Sequence, residues 1–130
     1  KLADLWSARG EKDYEFDDIM LLKVGRHLRP RPHFKLIISR EEGESQFLRG
    51  YRHAYDSLET TSHGGPLTLV DGHFADQAEA EFAAALVARF SQGRDAGQVT
   101  VVWRQRDGVS RDLQVRPLAV DDVPRDWYLG

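Results

Sequence analysis

The chain contains no cysteine, which rules out a disulfide framework, a thiolate metal site and a cysteine nucleophile. No apolar run approaches the roughly 20 residues that span a bilayer, and residues 1–10 lack the apolar stretch of a signal peptide. No membrane partner is expected, and a reducing, cytoplasmic setting is. Nucleotide-loop motifs are missing too: Gly64-Gly65-Pro66 leads into neither a Gly-Lys-Ser/Thr step nor a GxGxxG pattern. The histidines His27, His33, His53, His63 and His73 form no i, i+4 pair, so their spacing signals no metal site. Ser62, His63 and Asp71 make a trio on paper, but no nucleophile elbow frames the serine. The acid pairs Asp17-Asp18, Glu41-Glu42 and Asp121-Asp122 stand in polar stretches, where adjacent carboxylates are normally solvated. No catalytic residue, metal or cofactor is expected in this chain.

What is present fits one folded unit. With 130 residues, 41% of them hydrophobic, the chain can bury one modest core but not two independent ones. The start at Lys1 reads as mid-protein, so residues 1–16 are expected to be a lead-in or linker from a missing upstream domain and residues 17–130 the domain itself. The periodicities predict strands over residues 20–28 and 34–40, with the linker Arg29-Pro30-Arg31-Pro32-His33 turning between them because two prolines remove two donors. A short helix follows over residues 41–51, then strands over 55–60 and 67–70. The clearest helix spans 75–90, where Ala78, Phe82, Leu86 and Phe90 recur every four residues. Strands over 99–105 and 109–115 flank Asp107-Gly108, a two-residue hairpin signal with positive φ at both turn positions. The fold class is therefore α+β: a mostly antiparallel or mixed sheet in the order ββ(α)ββαββ, with one long and one short helix packed on one face.

Charge is segregated rather than scarce. Residues 19–40 hold six Lys or Arg (Lys23, Arg26, Arg29, Arg31, Lys35, Arg40) and no acid, so in a chain of net charge −3 the other 108 residues carry −9. Strand alternation places Lys23, His27 and Arg29 on one face with Gly25, and Leu22, Val24 and Leu28 on the other. Arg26 falls on the apolar parity, either buried against a carboxylate or redirected by a bulge. Lys35 and Ser39 join a surface while Phe34, Leu36 and Ile38 face the core, and Gly25 would let a ligand backbone come close. The plainer alternative is a solvated run paired with the acidic lead-in and with Glu41 and Glu42. At the last hairpin, the expected register opposes Arg104 to Arg111 and gathers Arg104, Arg106 and Arg111 on one face, either splayed into water or holding an anion. Trp103 takes the other face and is expected to pack rather than stack on a base.

Several stretches together resemble a known family: Asp18-Ile19-Met20-Leu21-Leu22-Lys23-Val24-Gly25-Arg26-His27-Leu28-Arg29, then Lys35-Leu36-Ile37-Ile38-Ser39-Arg40-Glu41-Glu42, then Gly65-Pro66 leading into residues 67–70. Over most of residues 17–116 the chain is similar to the NFACT-R type RNA-binding domain, in the version appended to bacterial tRNA sulfurtransferase-like, thiouridine-forming proteins. It departs from the family pattern at Ser39 and Glu41. The resemblance implies a non-catalytic module that binds RNA, and tRNA in particular. It implies that the chemistry, sulfurtransferase-like or methyltransferase, lies in a preceding domain. It points at Gly25, Arg26, His27, Lys35 and Arg40 with Glu41 and Glu42. The candidate RNA-binding residues are thus Lys23, Gly25, Arg26, His27, Arg29, Arg31, Lys35, Arg40, Arg104, Arg106 and Arg111. The rival reading is a protein-interaction domain that docks on its own catalytic partner through Trp6, Trp127 and Tyr128.

Overall fold

A computed structural model describes residues 21–129. The expected lead-in over residues 1–16, the anchor Trp6 and the start of the first expected strand lie outside them. Six strands and two helices follow in the order β1 (Arg26–Arg31), β2 (Phe34–Ile38), α1 (Glu42–Arg49), β3 (Asp56–Thr60), β4 (Leu67–Gly72), α2 (Gln77–Arg89), β5 (Val99–Arg104) and β6 (Ser110–Val115). The strands form one sheet in the order β1-β2-β4-β3-β5-β6, every neighbouring pair antiparallel. The α+β class and the ββαββαββ order are those read from the sequence.

The helices do not share a face. Strands β2 and β3 flank β4, and β4 and β5 flank β3, so each helix is the crossover of a split β-α-β unit. Both crossovers step in the same direction along the sheet, but from strands that point opposite ways. The strongly favoured right-handed connection then sends them to opposite faces. The core divides accordingly. Leu28, Phe34, Leu36, Ile38, Leu58 and Val70 pack with α2, while Ile37, Leu67 and Leu69 pack with Leu21 and with Leu48 of α1. Strand β2 is buried on both sides as a result, which the alternation argument, built on one solvated face, could not show.

Helix α2 is capped at its start: the Asp76 carboxylate accepts from Glu79 N–H at 2.9 Å, and the Glu79 carboxylate reaches back to accept from Ala75 N–H at 2.8 Å, one residue before the cap. Its buried residues are Ala80, Ala83, Ala84, Ala85, Leu86, Val87 and Ala88, whereas Ala78 is exposed and Phe82 and Phe90 are half-buried. The four-residue stripe therefore marks the flank of α2 rather than its core face. Small alanines let the helix lie close to the sheet. After β6 the chain crosses the outer side of α2, Leu118 N–H donating to Ala85 O at 3.1 Å. It then reaches the far edge, where Tyr128 bridges Leu28 and Leu129 N–H donates to His27 O at 2.8 Å. This strap explains why the second half of α2 is buried all round.

Candidate nucleic-acid interface

The basic segment is not one face. Residues 21–25 make a turn, with Val24 N–H on Leu21 O at 3.2 Å, and β1 begins only at Arg26. Lys23 is exposed beside it. His27 is 1% exposed, and its Nε2 lies 3.0 Å from Leu21 O and 2.9 Å from Val24 O, so the ring fastens the turn to β1. Lys35, at 2% exposure, is equally out of reach of a phosphate, because β2 is covered on both sides. Gly25 serves its own fold: its φ is +76°, and a Cβ there would meet Ile38 O at 2.8 Å. The close approach expected for a ligand is made by strand β2. Arg29 is half-buried and donates to Pro32 O at 3.0 Å.

Pro30 lies within β1 rather than in a loop, because an irregularity between Leu28 and Arg31 lets the ladder skip it. The same irregularity restores Arg31 to the face of Leu28 and Arg26, opposite Phe34. Both arginines then reach over α2 rings, Arg31 4.4 Å from the Phe82 centroid and Arg26 4.9 Å from the Phe90 centroid, within cation–π range. Arg26 is thus neither buried nor turned away. It is exposed on the α2 face at the sheet edge.

Arg40 is engaged by Glu44. Its N–H and Nε donate to Glu44 Oε1 at 2.8 and 3.1 Å, and its terminal nitrogen donates to Oε2 at 2.7 Å. Glu44 Oε2 also accepts from Gly25 N–H at 3.1 Å. These donors, the Arg40 side chain foremost, hold the Glu44 carboxyl at about 2, below the ordinary carboxylate value, against the upward push of partial burial. A depressed folded-state pKa stabilises above the unfolded value and loses that contribution as pH falls. Glu44→Gln is therefore expected to cost about 1–2 kcal/mol at pH 7, with the gap to the parent chain closing between pH 5 and pH 2. Urea unfolding at stepped pH checks this.

The arginines of the last hairpin do not gather. The turn takes three residues, 106–108: Gly108 N–H donates to Gln105 O at 2.9 Å and Gln105 N–H to Val109 O at 2.8 Å, and Gly108 alone of the turn has positive φ. The register becomes Arg104 opposite Ser110 and Trp103 opposite Arg111. A one-residue slip exchanges faces, so Arg104 and Arg111 point to opposite sides. Arg106 pairs with Asp56 at 3.6 Å, and Arg111 donates to Gln77 Oε1 at 3.2 Å. Trp103 packs edge-on to Phe74 and donates its ring N–H to Asp56 at 3.2 Å.

Cations and aromatics instead converge where α2 meets the strap. A groove of about 830 Å³ is lined by Arg89, Phe90, Arg94, Asp121, Arg125 and Tyr128, among others. A second hollow of about 370 Å³ shares Phe90 and Arg94 and runs to Arg40 and Gly64-Gly65-Pro66. Arg26 overlies the shared Phe90. The rings of Phe90 and Tyr128 meet at 78°, centroids 6.5 Å apart, and form a corner. Arg89 donates to Leu118 O at 3.4 Å and stands 4.0 Å from Asp95. The ion pairs found among the described residues otherwise take up His33, Arg40, Arg49 and Arg106. Arg26, Arg94 and Arg125 are in none of them. Trp127, expected as a docking anchor, packs on Phe82 within the domain, centroids 5.7 Å apart.

Residues 25–128 match the model of the NFACT protein RNA binding domain. The chain belongs to this family. The NFACT RNA-binding match runs from Gly25, at the turn before β1, to Tyr128 on the strap, so every groove residue lies inside it. The fold is shared with a solved structure, the C-terminal part of the fibronectin/fibrinogen-binding protein from Streptococcus suis, at a TM-score of 0.66 and 14% identity. That alignment covers 82% of this chain, which spans about half (50%) of the Streptococcus chain. No curated protein gives a sequence match. Among the described residues of this NFACT domain no helix is long and apolar enough to cross a membrane, and no His, Cys, Asp or Glu cluster could hold a metal ion.

Of the RNA-binding residues singled out by sequence, Arg26 stands beside the groove over Phe90, and Arg40 lines the adjoining hollow. Arg89, Arg94 and Arg125 were not singled out, Phe90 was read only as part of the helix stripe, and Tyr128 only as a docking anchor. They are separated by up to 39 positions, and no run of like charge marks them. The one usable signal was the pair Phe82 and Phe90, too bulky for a helix whose other buried residues are mostly alanine.

Proposed function

We propose that this domain is a non-catalytic, sequence-tolerant RNA-binding module whose target is tRNA, and that it presents tRNA to a modifying unit, sulfurtransferase-like in chemistry, elsewhere in a longer cytoplasmic protein. Family membership supports RNA as the ligand. The observation that carries the site is the convergence of Arg26, Arg89, Arg94 and Arg125 on the Phe90 and Tyr128 corner. In a chain of net charge −3, bulk attraction to a polyanion is absent, so binding must come from such local convergence. Arginine suits it, since its planar fork meets phosphate oxygens bidentately, and aromatic faces beside it accept bases of any identity.

The test is a filter-binding titration of unmodified tRNA across salt. The logarithm of the association constant is expected to fall linearly with the logarithm of salt, with a slope of about −2 to −4. Two tRNAs of different sequence are expected to agree within about threefold, since phosphate contacts carry no sequence information. Binding that ignores salt, or no binding at all, overturns the reading.

A further inference from the structure

We infer that the groove between α2 and the strap accepts an unpaired nucleotide, so that the domain selects single-stranded or looped RNA over duplex; this rests on the RNA-binding reading above. The groove is concave, about 830 Å³, within the ~300–1,000 Å³ of clefts that enclose small ligands. A base inside an A-form helix is stacked on both sides and cannot enter such a hollow, whereas a splayed one can.

The corner assigns the parts of the nucleotide. Arg26 already occupies one side of the Phe90 ring, so the open aromatic surface is that of Tyr128, which is 44% exposed. The base stacks there. Tyr128 is held through its backbone, by the bridge to Leu28 and by Leu129 N–H on His27 O at 2.8 Å, so the platform stands ready before RNA arrives. Arg94 and Arg125 on the same walls meet the phosphates. Asp121 is the single carboxylate of the groove lining. It repels phosphate from its corner and offers an acceptor to a base amine.

The test uses the 130-residue chain with a fluorescein-labelled eight-nucleotide RNA, presented as a single strand and as a blunt duplex, in anisotropy titrations. The single strand is expected to bind at least about tenfold more tightly. Tyr128→Ala is expected to weaken single-strand binding by roughly tenfold or more, on the scale of one base–aromatic stack, with duplex binding unmoved. Tyr128→Phe, which keeps the ring, is expected to restore it. A thermal melt confirms that each variant folds, since the bonds holding residue 128 are made by backbone atoms. Equal affinity for the two RNAs, or an unchanged Tyr128→Ala, overturns the inference and leaves RNA binding standing. Failure to bind either RNA overturns both.

Discussion

Reversing Arg94 and Arg125 together to glutamate is expected to weaken tRNA binding about 100-fold near 0.1 M salt and to make the salt slope shallower by roughly 1.5–2. The size follows from geometry. Both side chains line the same groove, both are exposed, and neither enters the ion pairs found among the described residues. Their charge is thus directed to a ligand rather than spent within the fold. Each lost phosphate contact removes released counterions, and each new carboxylate repels a phosphate. The fold should be indifferent. Among the described residues, the one hydrogen bond found from either side chain is a long one, Arg94 to Ser91 O at 3.5 Å. Filter binding across salt reads the affinity, and the melting temperature should move by no more than a few degrees.

Gly25→Ala is expected to do the opposite: to cost about 2–3 kcal/mol of stability while the folded fraction keeps its RNA affinity. At φ +76° an alanine sits in the left-handed region, which alone costs about 1–2 kcal/mol. Its Cβ would also stand 2.8 Å from Ile38 O and 3.2 Å from Ile38 C, backbone atoms of a strand buried on both faces that cannot give way. The movement needed would disturb the Gly25 N–H bond to Glu44 as well. Equilibrium urea unfolding measures the loss. A stable variant that had lost RNA affinity would return Gly25 to the ligand-contacting role first read from the sequence.

How much was legible depended on whether the signal was local. The helix α2 announced itself by its four-residue recurrence, and β4 to β6 were located within one or two residues, because periodicity and punctuation are properties of short windows. The two-faced core was not legible from Lys35, whose charge argued for solvent. Only the crossing of two split β-α-β units explains why both sides of β2 are covered. Local turn chemistry also misled: Asp107-Gly108 suggested a two-residue turn, and the third residue taken by the real turn exchanged the faces of Arg104 and Arg111. Arg26 shows the third case. Its side depended on where β1 starts, and its role on Phe90, which is 64 residues away. The groove is assembled from α2, the loop after it and the strap. Cationic density along the chain therefore pointed to β1 and β2, one edge of which the groove touches.

The most direct test of the groove as the RNA interface is a paired comparison on one tRNA: the Arg94→Glu and Arg125→Glu variant against an Arg104→Glu and Arg111→Glu variant of equal net charge. All four residues are exposed arginines, so a purely electrostatic effect of total charge would weaken both variants alike. The expected result is a loss of about 100-fold for the groove pair and less than about threefold for the hairpin pair. Equal losses, or a larger loss at the hairpin, would contradict the assignment of the interface to the groove between α2 and the strap.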